Sequence, residues 1–82
     1  MEASNLDFDE MRCCIAHHTE RERAEVVGPA RLVEDLGVDS LTMHALLIDI
    51  EEAGGRIPPP ETLEAVNTVD DLFAAVTGDA LP

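Results

Sequence analysis

The residue with the clearest capacity for chemistry is Ser40, which lies in the run Gly37-Val38-Asp39-Ser40-Leu41. A helical pattern begins at Ser40, and the first turn of a helix offers free N–H groups and the positive end of the helix dipole to an anion. A phosphodiester on the Ser40 hydroxyl would therefore be stabilised despite the acidic surroundings. Gly37 allows a tight turn into the helix. A second interpretation is that Ser40 only caps the helix, since serine is favoured at that position.

Asp39 is the residue best placed to assist Ser40, either by capping the helix or by helping to coordinate a metal ion held by a modifying enzyme. The remaining nucleophiles show no comparable pattern. Cys13 and Cys14 are adjacent, so a disulfide between them would be strained, and we interpret both as core or partly buried helix thiols. No other cysteine and no well-spaced histidine pair supports a metal site. We therefore predict neither a metal site nor a catalytic residue.

Composition limits the classes of function. The net charge is −13 in 82 residues, which repels nucleic acid and anionic membranes and attracts partners with basic surfaces. A chain this short has no room for an active-site cleft between two packed layers, so catalysis is disfavoured. No stretch approaches the roughly 18–20 apolar residues of a membrane span, and the acidic N-terminus is unlike a secretory signal. We expect a cytoplasmic monomer with one domain over residues 1–82, structured from about residue 5 to residue 78.

Four helical segments are expected to hold the site. A capping box that opens at Asp7 starts the first helix, which is expected to end in a polar last turn over residues 20–23. The aliphatic content of the loop over residues 23–39 predicts that it is ordered and pinned to the core. A short third helix is predicted over residues 60–65, and Thr68 caps the fourth. Since no strand pattern competes, the fold class is all-α: a four-helix bundle with three longer helices, one short helix and a long first loop.

The second helix, predicted over residues 40–53, has two unlike faces. Its core stripe repeats at helical spacing through Met43, Leu46, Leu47 and Ile50. The opposite face carries two aliphatic side chains where solvent is expected, Leu41 and Ile48. The surroundings of this pair are acidic, because residues 32–55 contain six acids and no basic residue: Glu34, Asp35, Asp39, Asp49, Glu51 and Glu52.

Residues 32–41 resemble the signature of acyl carrier proteins, in which an apolar residue precedes Val-Glu-Asp-Leu-Gly, a small residue and Asp-Ser-Leu. The resemblance continues through residues 51–52, 57–58 and 67–72 and covers roughly residues 32–78, while the first helix agrees in length and pattern only. In that family the serine of Asp-Ser-Leu receives 4′-phosphopantetheine from coenzyme A through a magnesium-dependent transferase. The thiol of this arm then holds substrates as thioesters.

The resemblance implies a four-helix acyl-carrier-like bundle in which Ser40 is the attachment residue, with Asp39 and Leu41 beside it in the cofactor-binding site. It also implies that the second helix docks partner enzymes through acids and a few aliphatic side chains. The expected partners are a phosphopantetheinyl transferase and acyl-processing enzymes with basic patches, such as ketosynthases and acyltransferases. The residues expected at the docking surface are Leu41, Ile48, Glu51, Glu52 and Asp35.

Several positions depart from the family pattern. Thr42 and Ala45 stand where the family often has an acid, and His44 stands where an aliphatic residue is common. His44 lies one turn after Ser40 on the same side of the helix, where it could touch the prosthetic arm or a partner. These departures favour a specialised pathway, such as polyketide or related natural-product assembly, over housekeeping fatty-acid synthesis.

Three other functions stay open at this point. One is an aminoacyl or peptidyl carrier on the same fold, although Val38-Asp39 departs from the Gly-Gly-His/Asp-Ser pattern of such carriers. Another is a hydrolase of the Gly-Asp-Ser-Leu type, which would need a large α/β scaffold with a distant Asp and His. The last is an unmodified helical adaptor for a basic partner, whose function would survive loss of Ser40.

Overall fold

The computed structural model describes residues 6–77 and places four α-helices around one apolar core. The helices are α1 (Phe8–Thr19), α2 (Ser40–Glu52), α3 (Pro60–Glu64) and α4 (Val69–Thr77), and a short 3₁₀ turn (Arg23–Glu25) lies in the first loop. Residues 6–77 contain no strand, only an isolated bridge between Arg31 and Thr68. The predicted all-α fold, with three longer helices, one short helix and a long first loop, is therefore confirmed. The predicted core limits at residues 5 and 78 lie outside the described residues.

α1 begins where its capping box predicts. The Asp7 carboxylate accepts a hydrogen bond from the Glu10 N–H at 2.8 Å, and the Glu10 carboxylate accepts one from the Asp7 N–H at 3.3 Å. Leu6, just before the cap, and Met11, in the next turn, are both buried in the core. Their positions on either side of the cap are those of a hydrophobic staple, which sets the angle at which a chain enters a helix.

α1 ends earlier than the sequence predicts. Glu20 adopts a left-handed conformation with φ of 59°, and its N–H bonds to the Ala16 carbonyl, which closes the helix at Thr19. Residues 20–23 are exposed, as expected, but they lie beyond the helix and not in its last turn. The reason is that four consecutive charged residues offer no apolar side chain that would hold a further turn against the core.

All three long helices and the first loop contribute to the core. The largest fully buried side chains are Met11, Ile15, Val26, Leu32, Leu46, Ile50, Val69, Leu72 and Val76. α1 packs against both α2 and α4, and α3 packs against α4. At the α1–α4 contact the rings of Phe8 and Phe73 meet edge to face, with centroids 5.2 Å apart. The two aromatic residues therefore add a directional contact to an otherwise aliphatic core.

The first loop is ordered, as its aliphatic content predicts. Its buried aliphatic residues are Val26, Leu32, Leu36 and Val38, whereas Val27 and Val33 are exposed. Its backbone is also tied to the start of α4, because the Leu32 N–H donates to the Asn67 carbonyl at 2.8 Å. The loop is thus held from both sides, by side chains in the core and by backbone hydrogen bonds to α4.

The second half of the chain follows its local signals. Leu63 in α3 and Val66 just after it are partly buried, as predicted. Thr68 caps α4, since its hydroxyl accepts the Asp71 N–H at 3.1 Å while the Asp71 carboxylate accepts the Thr68 N–H at 3.2 Å. The predicted closure of α4 by Gly78 lies outside the described residues.

A polar contact between helices is expected to contribute measurably to stability. His18 of α1 is mostly buried, and its Nε2 pairs with the Asp49 carboxylate of α2. We expect the effects of His18→Ala and Asp49→Ala on the free energy of unfolding to be non-additive, with a coupling energy of about 1 kcal/mol. The reason is that each single change leaves the other side chain partly buried and unpaired. Urea unfolding of both single variants and the double variant measures this coupling. Simple addition of the two single effects would show that the pair contributes nothing.

Candidate functional site

Ser40 is the first residue of α2 and is exposed, but it does not cap the helix. The cap is Asp39, whose Oδ1 accepts the Thr42 N–H at 2.8 Å. This backbone hydrogen bond holds the pKa of the Asp39 carboxyl below its usual value. The interpretation of Ser40 as the helix cap is therefore wrong. Within residues 6–77 the Ser40 hydroxyl has no hydrogen-bond partner, so the fold makes no use of it.

The backbone before Ser40 is fixed at two points. Gly37 has a φ of 73°, a left-handed conformation that strains any residue with a Cβ, and its N–H donates to the Val33 carbonyl at 3.1 Å. The next residue, Val38, is buried and donates its N–H to the Leu32 carbonyl at 2.8 Å. The loop therefore turns at Gly37, and two backbone hydrogen bonds and a buried side chain hold the segment that leads into Ser40.

Ser40 opens onto a cleft between α2, the first loop and the α3 region, with a volume of about 600 Å³. Six of its lining residues are apolar: Val33, Val38, Met43, Leu47, Leu63 and Val66. The other three are Asp39, Ser40 and His44. The sequence assigned Met43 and Leu47 to the core stripe and did not predict the cleft, because the gap between α2 and α3 depends on tertiary packing. His44 lies on the same side as Ser40, as its position one turn later predicts.

The residues predicted for the docking surface on α2 are all exposed. Leu41 retains 78% of its accessible surface and Ile48 retains 43%, which is unusual for large aliphatic side chains on a helix of this bundle. Glu51 and Glu52 are exposed in the last turn. The outer face of α2 thus combines two aliphatic side chains with carboxylates, the pattern of an apolar contact with a charged rim.

Three of the six acids in residues 32–55 have partners inside the molecule. Asp39 caps α2, and Asp49 pairs with His18. Asp35, predicted to bind partners, accepts the Arg31 N–H at 2.8 Å, a hydrogen bond that lowers the pKa of its carboxyl, and the Arg31 side chain lies 3.6 Å away. Asp35 therefore stabilises the first loop in addition to adding charge to the surface. The sequence did not predict the partners of Asp35 and Asp49, because Arg31 and His18 lie outside the segment, whereas capping was one of the roles expected of Asp39.

The two cysteines differ in environment. Cys14 is partly buried, and burial, followed by the charge of Asp49, raises the pKa of its thiol. Cys13 is exposed, contrary to the expectation of a core or partly buried thiol, because it points away from the buried stripe. Arg23 Nη1 lies 3.3 Å from its sulfur.

Over the described residues no cluster of three or more His, Cys, Asp or Glu could hold a metal ion. Over the same residues no helix is long and apolar enough to cross a membrane.

Comparison with known proteins agrees with this architecture. The chain matches the family described as "Phosphopantetheine attachment site" over residues 9–76. The acyl carrier protein of Helicobacter pylori (strain G27) is 31% identical over 74 residues, which cover 90% of this chain and 95% of that relative. The acyl carrier protein of Thermotoga maritima is 29% identical over 69 residues, covering 84% and 85%. That of Syntrophobacter fumaroxidans is 42% identical over 50 residues, covering 60% and 62%.

A small helical bundle that presents an exposed hydroxyl at the start of a helix, beside a mostly apolar cleft, has the form of a carrier domain. The chain belongs to the acyl carrier protein family, whose members hold a covalently attached 4′-phosphopantetheine. The predicted family, carrier class and cofactor are therefore confirmed. A protein of this family is a substrate of a phosphopantetheinyl transferase and works with acyl-processing enzymes.

Proposed function

We propose that 4′-phosphopantetheine is attached to Ser40 and that the protein carries acyl groups between biosynthetic enzymes. The observation that supports this most directly is the exposed Ser40 hydroxyl at the first position of α2. Asp39 caps the helix, so the Ser40 hydroxyl is not needed for that purpose. When bound, the arm supplies a thiol on which an acyl group is held as a thioester. The residues around Ser40 fit such a group, since the first-turn N–H groups favour a phosphate and the cleft offers apolar walls.

Asp39 and Leu41 are proposed to serve the attachment step. Asp39 is ionised at neutral pH, because the Thr42 N–H lowers the pKa of its carboxyl, and only one of its two oxygens makes that hydrogen bond. Its other oxygen is a suitable ligand for a magnesium ion brought by the transferase. Leu41, the most exposed large aliphatic residue in the described part of the chain, offers the transferase an apolar contact next to Ser40.

Intact-protein mass spectrometry tests the attachment. The full chain is incubated with coenzyme A, magnesium and a promiscuous phosphopantetheinyl transferase, beside an established acyl carrier protein as a positive control. We expect the mass of one phosphopantetheinyl group to be added and peptide fragmentation to place it on Ser40. No added mass under conditions that fully load the control, or attachment to another residue, would refute the proposal.

We further propose that the carrier serves a specialised pathway, such as polyketide or related natural-product assembly, in the cytoplasm. The support is the chemistry of α2, where Thr42, His44 and Ala45 replace side chains common in fatty-acid carriers. Both cysteines are free thiols, which agrees with a reducing compartment. The partners would be ketosynthases and acyltransferases with basic patches. The test compares the rates at which the malonyl-loaded carrier condenses with an acyl group held on a polyketide ketosynthase and on a fatty-acid ketosynthase, a reaction that releases CO₂ and the enzyme thiol and leaves the lengthened chain on the carrier. Faster condensation with the fatty-acid ketosynthase would refute the proposal.

Charge reversal on α2 is expected to slow the transferase reaction. Glu51→Lys or Glu52→Lys should lower kcat/KM for loading by roughly two- to fivefold at low salt, because rim charges mainly steer encounter, and the effect should shrink as salt rises. Glu61→Lys is the matched control, since Glu61 is also exposed but lies on α3. An equal effect of Glu61→Lys would show that net charge, and not the face of α2, attracts the enzyme.

A further inference from the structure

His44 is the one polar residue of the cleft lining that neither the fold nor the proposed attachment uses. Asp39, which also lines the cleft, is committed to capping α2, and Ser40 is the proposed attachment residue. The ring of His44 is exposed, and no hydrogen bond joins it to any residue from 6 to 77. It lies one helical turn after Ser40, so it borders the space next to the attachment point.

The chemistry of the cleft gives this histidine a distinct capability. A neutral imidazole provides one hydrogen-bond donor and one acceptor, so it can bond to a carbonyl or to a hydroxyl. The ionised Asp39 carboxylate only accepts hydrogen bonds and repels a carbonyl oxygen. Apart from Asp39, Ser40 and His44, the side chains that line the cleft are apolar. Once Ser40 carries the arm, His44 is the lining side chain that can donate a hydrogen bond to a carbonyl oxygen.

We propose that His44 is a specificity-determining residue, which makes the cleft prefer acyl chains bearing a carbonyl or hydroxyl oxygen near the thioester over saturated chains of the same length. The carbon chain would pack on apolar residues such as Met43, Leu47 and Leu63, while the oxygen bonds to His44. A saturated chain would offer the imidazole no oxygen beyond the thioester carbonyl that both kinds of chain share, which is less favourable. This inference rests on the proposed function, because the cargo reaches the cleft only if it is tethered at Ser40.

Nuclear magnetic resonance of the histidine rings gives a readout that does not depend on a partner enzyme. Protein labelled with ¹⁵N-histidine is loaded by the transferase from β-ketohexanoyl-coenzyme A or from hexanoyl-coenzyme A, and intact mass confirms each product. We expect the ring nitrogens of His44 to shift on loading with the β-keto chain and much less with the saturated chain. His17 is the internal control, since it is exposed on α1 and does not line the cleft. Equal His44 shifts with both chains, or none with either, would overturn the inference.

Cleavage of the thioester by hydroxylamine then measures how far the cargo is sheltered. Each rate is divided by that of the same acyl-pantetheine free in solution, which removes the intrinsic reactivity of the β-keto group. We expect this protection to be about two- to tenfold greater for the β-keto than for the saturated chain, as one net hydrogen bond allows. His44→Leu should abolish the preference and His44→Gln should retain part of it, and both residues favour helix.

The outcomes separate this inference from the proposed function. Normal loading at Ser40 with equal protection of the two chains, or a preference that His44→Leu leaves unchanged, would overturn the role of His44 while leaving the carrier function in place. Failure to load either chain, where an established carrier is loaded fully, would refute attachment at Ser40 and this inference with it.

Discussion

Ser40→Ala is expected to abolish loading completely, so that no mass is added by coenzyme A and a promiscuous transferase, while the bundle stays folded. The hydroxyl is exposed and has no partner within the described residues, so its loss should change the free energy of unfolding by less than about 0.5 kcal/mol. Intact-protein mass spectrometry measures the first effect and urea unfolding the second. The combination distinguishes an attachment residue from a structural serine.

Asp39→Ala is the matched control for this experiment, because it changes the neighbouring residue, which does cap α2. We expect it to lower the midpoint of urea unfolding, since the Thr42 N–H loses its hydrogen bond, whereas Ser40→Ala leaves the midpoint nearly unchanged. Mass added to the Ser40→Ala variant would contradict the attachment proposal. If Ser40→Ala lowered the midpoint of urea unfolding as much as Asp39→Ala does, the Ser40 hydroxyl would also support the fold.

The features that the sequence predicts well are those encoded within a few residues. The capping box at Asp7, the cap at Thr68 and the glycine at position 37 each act over three or four residues, and the structure places all three as expected. The exposure of Leu41 and Ile48 also follows from position alone, since both lie opposite the buried stripe of α2. Helical spacing and local hydrogen bonds are sufficient information for such features.

The features that the sequence could not give depend on contacts between distant segments. Asp49 was expected to be part of an acidic surface, yet it pairs with His18 of α1, 31 residues away. The cleft beside Ser40 was not predicted, because its walls come from three segments whose separation is set by packing. The sequence also left open whether Ser40 or Asp39 caps α2, since either side chain can cap a helix and only the backbone geometry decides.

Ile50→Ala is expected to have the largest effect on folding of the substitutions considered, and Ile48→Ala almost none. Ile50 is fully buried, so removing its side chain beyond Cβ should lower the free energy of unfolding by about 2–5 kcal/mol. That is a large part of the total free energy of unfolding of a small domain. Ile48 retains 43% of its surface, and alanine is the better helix former, so its replacement should cost less than about 1 kcal/mol. Circular dichroism during urea unfolding measures both.

The same pair of variants separates docking from folding, because identical atoms are removed at two positions of one helix. Under conditions where both variants are folded, Ile48→Ala should lower kcat/KM for loading by the transferase roughly fivefold, since it removes part of the apolar centre of the proposed docking surface. Ile50→Ala should leave that ratio near the wild-type value once the unfolded fraction is subtracted. An unfolded Ile48→Ala protein would show that this face of α2 supports the bundle, and unimpaired loading would show that the transferase does not contact it.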